Sequence, residues 1–319
     1  MRKIKLLLIY FILFFPISVF AYDKVIPGGE TIGIEVHSNG VLVVGFYKVN
    51  GKSIAKDNGF KLGDTIIKVN NIKVYNIDSM LEVIEKSNDK ATFTVVRNNK
   101  IKTITSDLIL EDDTLKTGLY VKDQINGLGT LSFILEDKTF GSLGHEIMES
   151  STLERFDISD GEIYDASVSE IIKSYDGSAG EKNAIIDKSE ITGIVTENDT
   201  TGIYGNYNGD ISNREFVDVG NINDISLGEA YIRTVVEGDR VEQFKINILN
   251  INKNDRTKNI LFEIVDSNLI NKTGGVIQGM SGSPIMQNGK MIGVVNYVIV
   301  NEPTKGYGIF LTTMLDEIN

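Results

Sequence analysis

Gly274-Gly275-Val276-Ile277-Gln278-Gly279-Met280-Ser281-Gly282-Ser283-Pro284-Ile285 is followed closely by Met291-Ile292-Gly293-Val294-Val295. The first stretch sets a serine between small residues. The second reads as a strand. Glycines let the backbone turn tightly around a nucleophile and leave amide N–H groups free to point inward. Such N–H groups can form an oxyanion hole for a tetrahedral intermediate. The same letters also suit a Gly/Ser turn joining two strands, and a short motif alone does not separate the two.

The histidines sharpen the choice. The chain has two, His37 and His145. A serine nucleophile needs a base within hydrogen-bond reach, and histidine has the right pKa. His145 lies in Gly141-Ser142-Leu143-Gly144-His145-Glu146-Ile147, flanked by small residues after a predicted strand. His37 lies in the alternating Ile34-Glu35-Val36-His37-Ser38-Asn39-Gly40 and reads as an ordinary strand-end residue. His145 is therefore the candidate base for Ser281, with a bare turn histidine as the alternative.

The 319 residues allow about two domains. With 41% hydrophobic and 24% charged residues the composition is that of a folded soluble chain. A net charge of −12 argues against a nucleic-acid partner, which needs a basic face. The absence of cysteine removes disulfides, thiol catalysis and thiolate metal sites. No metal and no cofactor are expected.

Residues 1–21 read as an export signal. Arg2, Lys3 and Lys5 precede an apolar run from Leu6 to Phe15, and Val19-Phe20-Ala21 offers a cleavage site. The segment is either a signal peptide or an N-terminal membrane anchor, although the run is short for a span of about 20 residues. Both place the rest of the chain across the cytoplasmic membrane. Residues 22–33 read as a linker. Over 34–110 a small module follows: a strand at Val41 to Phe46, a turn at Asn70-Asn71, a helix from Ile77 to Ser87, and a hairpin across Asn98-Asn99. With Leu62-Gly63-Asp64 and Ile67-x-Val69-Asn70, this order resembles a PDZ domain, which binds peptides at a strand edge. Gly29 to Ile34 stands where the family's carboxylate-binding loop would lie. From Gly118 onward many short apolar strands alternate with Gly and Asp/Asn turns, the pattern of a barrel or sandwich over residues 115–319.

Taken together, Gly141 to Ile147, Gly161-Glu162-Ile163-Tyr164, Gly202-Ile203-Tyr204-Gly205, Thr273 to Ile285 and Asn301 to Gly308 resemble the stage IV sporulation protein B family. These are PDZ-containing serine peptidases of spore-forming bacteria. The resemblance implies a mainly β fold, an α+β PDZ domain followed by a trypsin-like double β-barrel. It implies release into the space between the two forespore membranes and self-cleavage near the N-terminus. It also implies cleavage of a membrane regulatory protein, which frees an intramembrane metallopeptidase to process a sigma-factor precursor. The PDZ domain would bind a peptide or the chain's own N-terminal segment. Carried over residue by residue, Ser281 is the nucleophile, His145 the base and Asp266 the third member of the triad. The N–H groups of Gly279 and Ser281 are the candidate oxyanion hole. The chain departs from the family at Glu146, where a glycine is expected.

From the residues alone, alternatives stay open. Ser283 is a second serine, though the trypsin-like pattern sets the nucleophile before Gly-x-Pro. Asp165, Asp187 and Asp218 compete with Asp266. A non-catalytic PDZ and barrel scaffold, or a general quality-control protease, competes with the signalling peptidase.

Overall fold

Two long strands organise the chain. Thr31–Phe46 and Leu119–Ile134 lie antiparallel, with Thr31 opposite Thr130 at one end and Phe46 opposite Leu119 at the other. Ile32, Ile34 and Val36 are buried while Glu35 and His37 are half-buried between them, the period-two alternation of a strand with one core face. The computed structural model describes residues 22–318. The export signal at 1–21 lies outside the described residues. Among those described, no helix is long and apolar enough to cross a membrane.

The outer halves of the two long strands belong to a ring of six. From Leu119–Ile134 the ring passes through Thr139–Ser142, Gly202–Tyr207, Gly193–Asp199 and Ile158–Ile172 before closing on Thr31–Phe46. Ile32, Val36, Phe140, Ile163, Val195 and Ile203 fill it. A second barrel is closed by Gly228–Val235, Val241–Ile251, Ile260–Ile264, Lys305–Phe310, Lys290–Val298 and Pro284–Gln287. Ile232, Phe244, Ile246, Phe262 and Phe310 fill that one. A further cluster joins Phe133 and Tyr204 of the first barrel to Met291, Ile309 and Met314 of the second half, and so cements the two barrels.

The inner halves of the long strands build the PDZ module. Thr65–Val69, Lys90–Arg97 and Lys100–Asp107 extend the sheet from Val41 to Phe46. The helix Ile77–Glu85 covers it, burying Met80, Val83 and Ile84. Asn76 starts that helix: its side chain accepts the Ser79 N–H while Ser79 bonds back to the Asn76 N–H, a reciprocal capping box.

These arrangements correct one segment read from the sequence. Residues 22–33 are not a linker. Lys24–Pro27 pairs with Leu119–Ile134 and with Val217–Asp218, and Thr31 already opens the long strand. Val25, Ile26 and Ile32 are fully or almost fully buried, so this stretch has apolar surface enough to serve as barrel. The peptidase barrel therefore begins before the PDZ module, which is inserted between two of its strands. Gly29 to Ile34 enters the barrel rather than a carboxylate-binding loop. Leu42 and Val43 are flanked on both sides, by Thr65 and Asp64 on one and by Lys122 and Val121 on the other, while Gly45 and Phe46 pair with Leu119–Ile134. A peptide adding at Leu42 or Val43 would meet the chain's own backbone. His37 is not a strand-end residue but sits mid-strand, its Nδ1 2.8 Å from Asp160 with Glu35 and Glu162 alongside.

Leu62-Gly63-Asp64 owes its meaning to one ion pair. Asp64 is fully buried, and Arg97 forks onto both its oxygens at 2.6 and 2.7 Å. The Lys61 N–H donates to the same carboxylate at 2.9 Å. A bidentate pair with a third donor offsets the cost of burying the charge. Asp64→Ala leaves Arg97 without its partner, and urea denaturation is expected to show a loss of about 3 kcal/mol. Adding Arg97→Met to that variant should restore part of the loss; no recovery would mean that the pair is not the cause.

Candidate active site

The nucleophile loop is pressed against the first barrel. The Thr130 N–H donates to the Ser281 carbonyl at 3.0 Å, and Thr130 Oγ1 donates to the Gly279 carbonyl at 2.7 Å. Gly282 has φ +93°, and a Cβ there would stand 2.2 Å from the Thr130 carbonyl oxygen. Only glycine fits both that conformation and that approach. Gly282 N–H donates to Val295 O and Val295 N–H to Ser283 O, so the loop is also stitched to its own barrel.

His145 and Ser281 meet at one cavity of about 620 Å³ between the barrels. Gly279, Asn296 and Tyr297 line it with them, and Val276 and Ile277 contribute apolar wall. The two candidate residues are not hydrogen-bonded to each other. Ser281 Oγ donates instead to the Asn296 carbonyl at 3.2 Å. Such bonds in unliganded peptidases often tighten only when substrate binds. Neither the Gly279 nor the Ser281 N–H has an acceptor among the described residues, whereas the intervening Met280 N–H donates to Ile277 O. The two unpaired donors are those the oxyanion-hole reading requires. Ser283 is fully buried, its Oγ 3.5 Å from Thr130 Oγ1, and does not line the cavity.

The histidine is prepared as a base. Its Nδ1 lies 2.8 Å from the Glu146 carbonyl oxygen. A carbonyl can only accept, so Nδ1 carries the proton and Nε2 keeps its lone pair. Burial pushes the ring's pKa below its ordinary value, outweighing the carbonyl bond and the Glu146 charge, which push it up. The imidazole is therefore neutral near pH 7. Its ring stacks on Tyr297 with centroids 5.7 Å apart and planes 20° from parallel.

Asp266 stands at a helix end. It precedes the helix Ser267–Thr273, and its carboxylate accepts the N–H groups of Asn268 at 2.9 Å and Leu269 at 3.1 Å. It makes no hydrogen bond or ion pair to either histidine. An aspartate directly before a helix finds two unpaired backbone donors close by, and capping uses its charge. The competing aspartates are engaged elsewhere too: Asp165 accepts from Thr192 and Asp187 from Ser189, while Asp218 pairs in a strand with Lys24.

Sequence reasoning also passed over Lys182, behind the nucleophile loop. Its N–H donates to the Gln278 carbonyl, and its side chain packs where a Cβ on Gly279 would come within 3.1 Å. The ammonium is buried and, among the described residues, bonded only to two hydroxyls, those of Thr234 at 3.0 Å and Thr31 at 3.3 Å. With no carboxylate partner, burial pushes its pKa down to about 7.

The fold and the cavity define a class: a serine endopeptidase of two β-barrels carrying a PDZ domain. The SpoIVB peptidase S55 family model matches residues 113–315, and the chain belongs to that family. A PDZ domain model matches residues 31–108. No curated protein matches the chain. Among solved structures, the chain is similar to Rv3671c from M. tuberculosis as an inactive-form serine-to-alanine mutant. That match has 13% identity and a TM-score of 0.33 over 60% of this chain and 80% of that one. It is also similar to the Rv3671c protease in its inactive form, at 13% identity and a TM-score of 0.32 over 60% and 82%.

Lys182 gives this site a measurable signature. An unfolded lysine keeps its proton to about pH 10.4, while the folded side chain releases it near pH 7. Between those values the unfolded state binds the extra proton, so stability should rise with pH at ~1.4 kcal/mol per unit. Urea midpoints between pH 7 and 10 are expected to climb in the wild type and to lose that slope in Lys182→Met. Parallel curves would refute the buried, unpaired lysine.

Proposed function

We propose that the chain is a signalling peptidase of sporulation that cleaves itself and a membrane regulatory protein with Ser281 as nucleophile and His145 as base. The observation carrying the chemistry is the convergence of His145, Ser281 and two unpaired N–H groups on one cavity between the barrels. Ser281 Oγ leaves the Asn296 carbonyl and attacks the scissile carbonyl carbon while His145 Nε2 takes its proton. The oxyanion forms against the Gly279 and Ser281 N–H groups. His145 then gives the proton to the departing amine, and the C–N bond breaks to leave an ester on Ser281. Water, deprotonated by the same nitrogen, attacks that ester and frees the second product.

The biological setting rests on the family and on the sequence of residues 1–21. Export across the cytoplasmic membrane delivers the peptidase to the space between the forespore membranes, either free or still anchored. There its substrate is the membrane protein that restrains an intramembrane metallopeptidase, whose release leads to processing of a sigma-factor precursor. The inserted PDZ module takes part by binding peptide, the chain's own N-terminal segment included.

The test compares wild type and Ser281→Ala, both prepared without residues 1–21, for self-cleavage over time by mass spectrometry. Cleavage in the wild type alone is expected, with loss of at least ~1,000-fold in the variant. Equal cleavage in both would assign the activity to another nucleophile.

A further inference from the structure

Gly279 is held from both sides. On its C-terminal side the Thr130 hydroxyl binds its carbonyl at 2.7 Å. On its N-terminal side stands the start of the strand Glu181–Ile186. There the Gln278 N–H donates to the Gly180 carbonyl at 2.8 Å, and the Lys182 N–H donates to the Gln278 carbonyl at 3.0 Å. The Gln278 carbonyl and the Gly279 N–H belong to one peptide unit. In a trans peptide those two groups point in opposite directions. The bond from Lys182 therefore turns the Gly279 N–H away from Glu181–Ile186, and Gly279 lines the cavity. The Lys182 side chain adds a wedge. Gly279 has φ +92°, and a Cβ there would stand 3.1 Å from Lys182 Cδ and 3.3 Å from its Cβ and Cγ. The aliphatic stem thus lies along the glycine. Its far end is tied to both barrels, to Thr31 at 3.3 Å and to Thr234 at 3.0 Å, and both threonines are buried.

We propose that Lys182 is a positioning residue of the peptidase, holding the Gln278–Gly279 peptide in the orientation that presents the Gly279 N–H to the oxyanion. The inference rests on the reading of the Gly279 and Ser281 N–H groups as the oxyanion hole. Glycine at positive φ has backbone freedom that other residues lack, so its orientation needs support from outside. Turned over, the peptide would aim the Gln278 carbonyl into the cavity, an acceptor where negative charge has to form. It would also set the Gly279 N–H toward the Lys182 N–H, two buried donors with no acceptor between them. The stem, packed along the glycine and fixed at its ammonium, resists the backbone rotation that such a turn requires. Oxyanion donors are effective because they stand in place before the charge develops. Lys182 itself touches neither the nucleophile nor the cavity, so its effect falls on the oxyanion and not on the binding of substrate.

The probe is a fluorophosphonate, which loses fluoride as a serine oxygen bonds to phosphorus and which sets its phosphonyl oxygen where the oxyanion would form. Labelling of Ser281 in the full chain is followed by mass spectrometry, and rates are taken per folded molecule. Lys182→Ala removes the stem but keeps the backbone N–H. It should slow labelling by about 10-fold to 100-fold, approaching the ~10²–10³ lost with an oxyanion donor. Lys182→Met rebuilds the stem without the ammonium and should recover most of that loss. A merely structural lysine would change the stability of both variants and leave the rate per folded molecule alone. An alanine variant as fast as wild type, or a methionine variant as slow as the alanine one, would overturn the role of Lys182. A crystal structure of the labelled wild type needs no variant to fold. It should show the Gly279 N–H on the phosphonyl oxygen, the Gln278 carbonyl still on the Lys182 N–H, and the ammonium still between Thr31 and Thr234. A turned peptide or a displaced lysine would overturn the inference. Labelling that survives Ser281→Ala would instead sink the proposed nucleophile, and a wild type that takes no label would remove the oxyanion-hole reading and this inference with it.

Discussion

Thr130 is where the two barrels become one enzyme. It is fully buried in the strand Leu119–Ile134, and each of its polar atoms has a partner. Its N–H holds the Ser281 carbonyl, its hydroxyl holds the Gly279 carbonyl, and its own carbonyl takes the Ser142 hydroxyl. Gly279 and Ser281 therefore spend their carbonyls on the neighbouring barrel, which turns their N–H groups into the free ends of the loop. Gly282 lacks a Cβ because the same strand passes too close to admit one. The nucleophile and the oxyanion donors belong to the second barrel in sequence, but their conformation is set by the first.

The histidine side answers to a parallel constraint. His145 leaves the strand Thr139–Ser142 through Leu143 and Gly144, both at positive φ, and so turns back toward the second barrel. Its Nδ1 then meets a backbone carbonyl rather than a carboxylate. A carbonyl carries no full charge, so it fixes the tautomer as an aspartate would while stabilising the imidazolium less. Burial acts in the same direction, keeping the ring neutral and ready to accept.

How much of this was legible depends on whether a signal was local. Ser281 and His145 stood out because tight turns around reactive groups need small residues next to them in sequence. Many short strands with Gly and Asn turns were enough to read barrels, and Leu62-Gly63-Asp64 marked the PDZ module. Asp266 came from the family resemblance, since its distance along the chain from Ser281 says nothing about which groups its oxygens face. Its position just before Ser267–Thr273 was the available cue, since aspartate is a favoured helix cap. Lys182 reads as a surface residue until Thr31, Thr234 and Gln278 close over it. The strand Lys24–Pro27 was missed as part of the barrel because the short apolar run before the PDZ module carries no long alternation of its own.

That sharing has a mechanical side. Leu119 and Val121 pack into the PDZ core, while Thr130 of the same strand grips the nucleophile loop. Between them runs roughly 36 Å of extended backbone, paired with Thr31–Phe46 on either side of a register shift between His37 and Leu42. A flexible tether would let the two ends move independently. The strand is continuous from one end to the other, so twist or tension at the PDZ end reaches the carbonyls of Gly279 and Ser281 through the backbone of a single element.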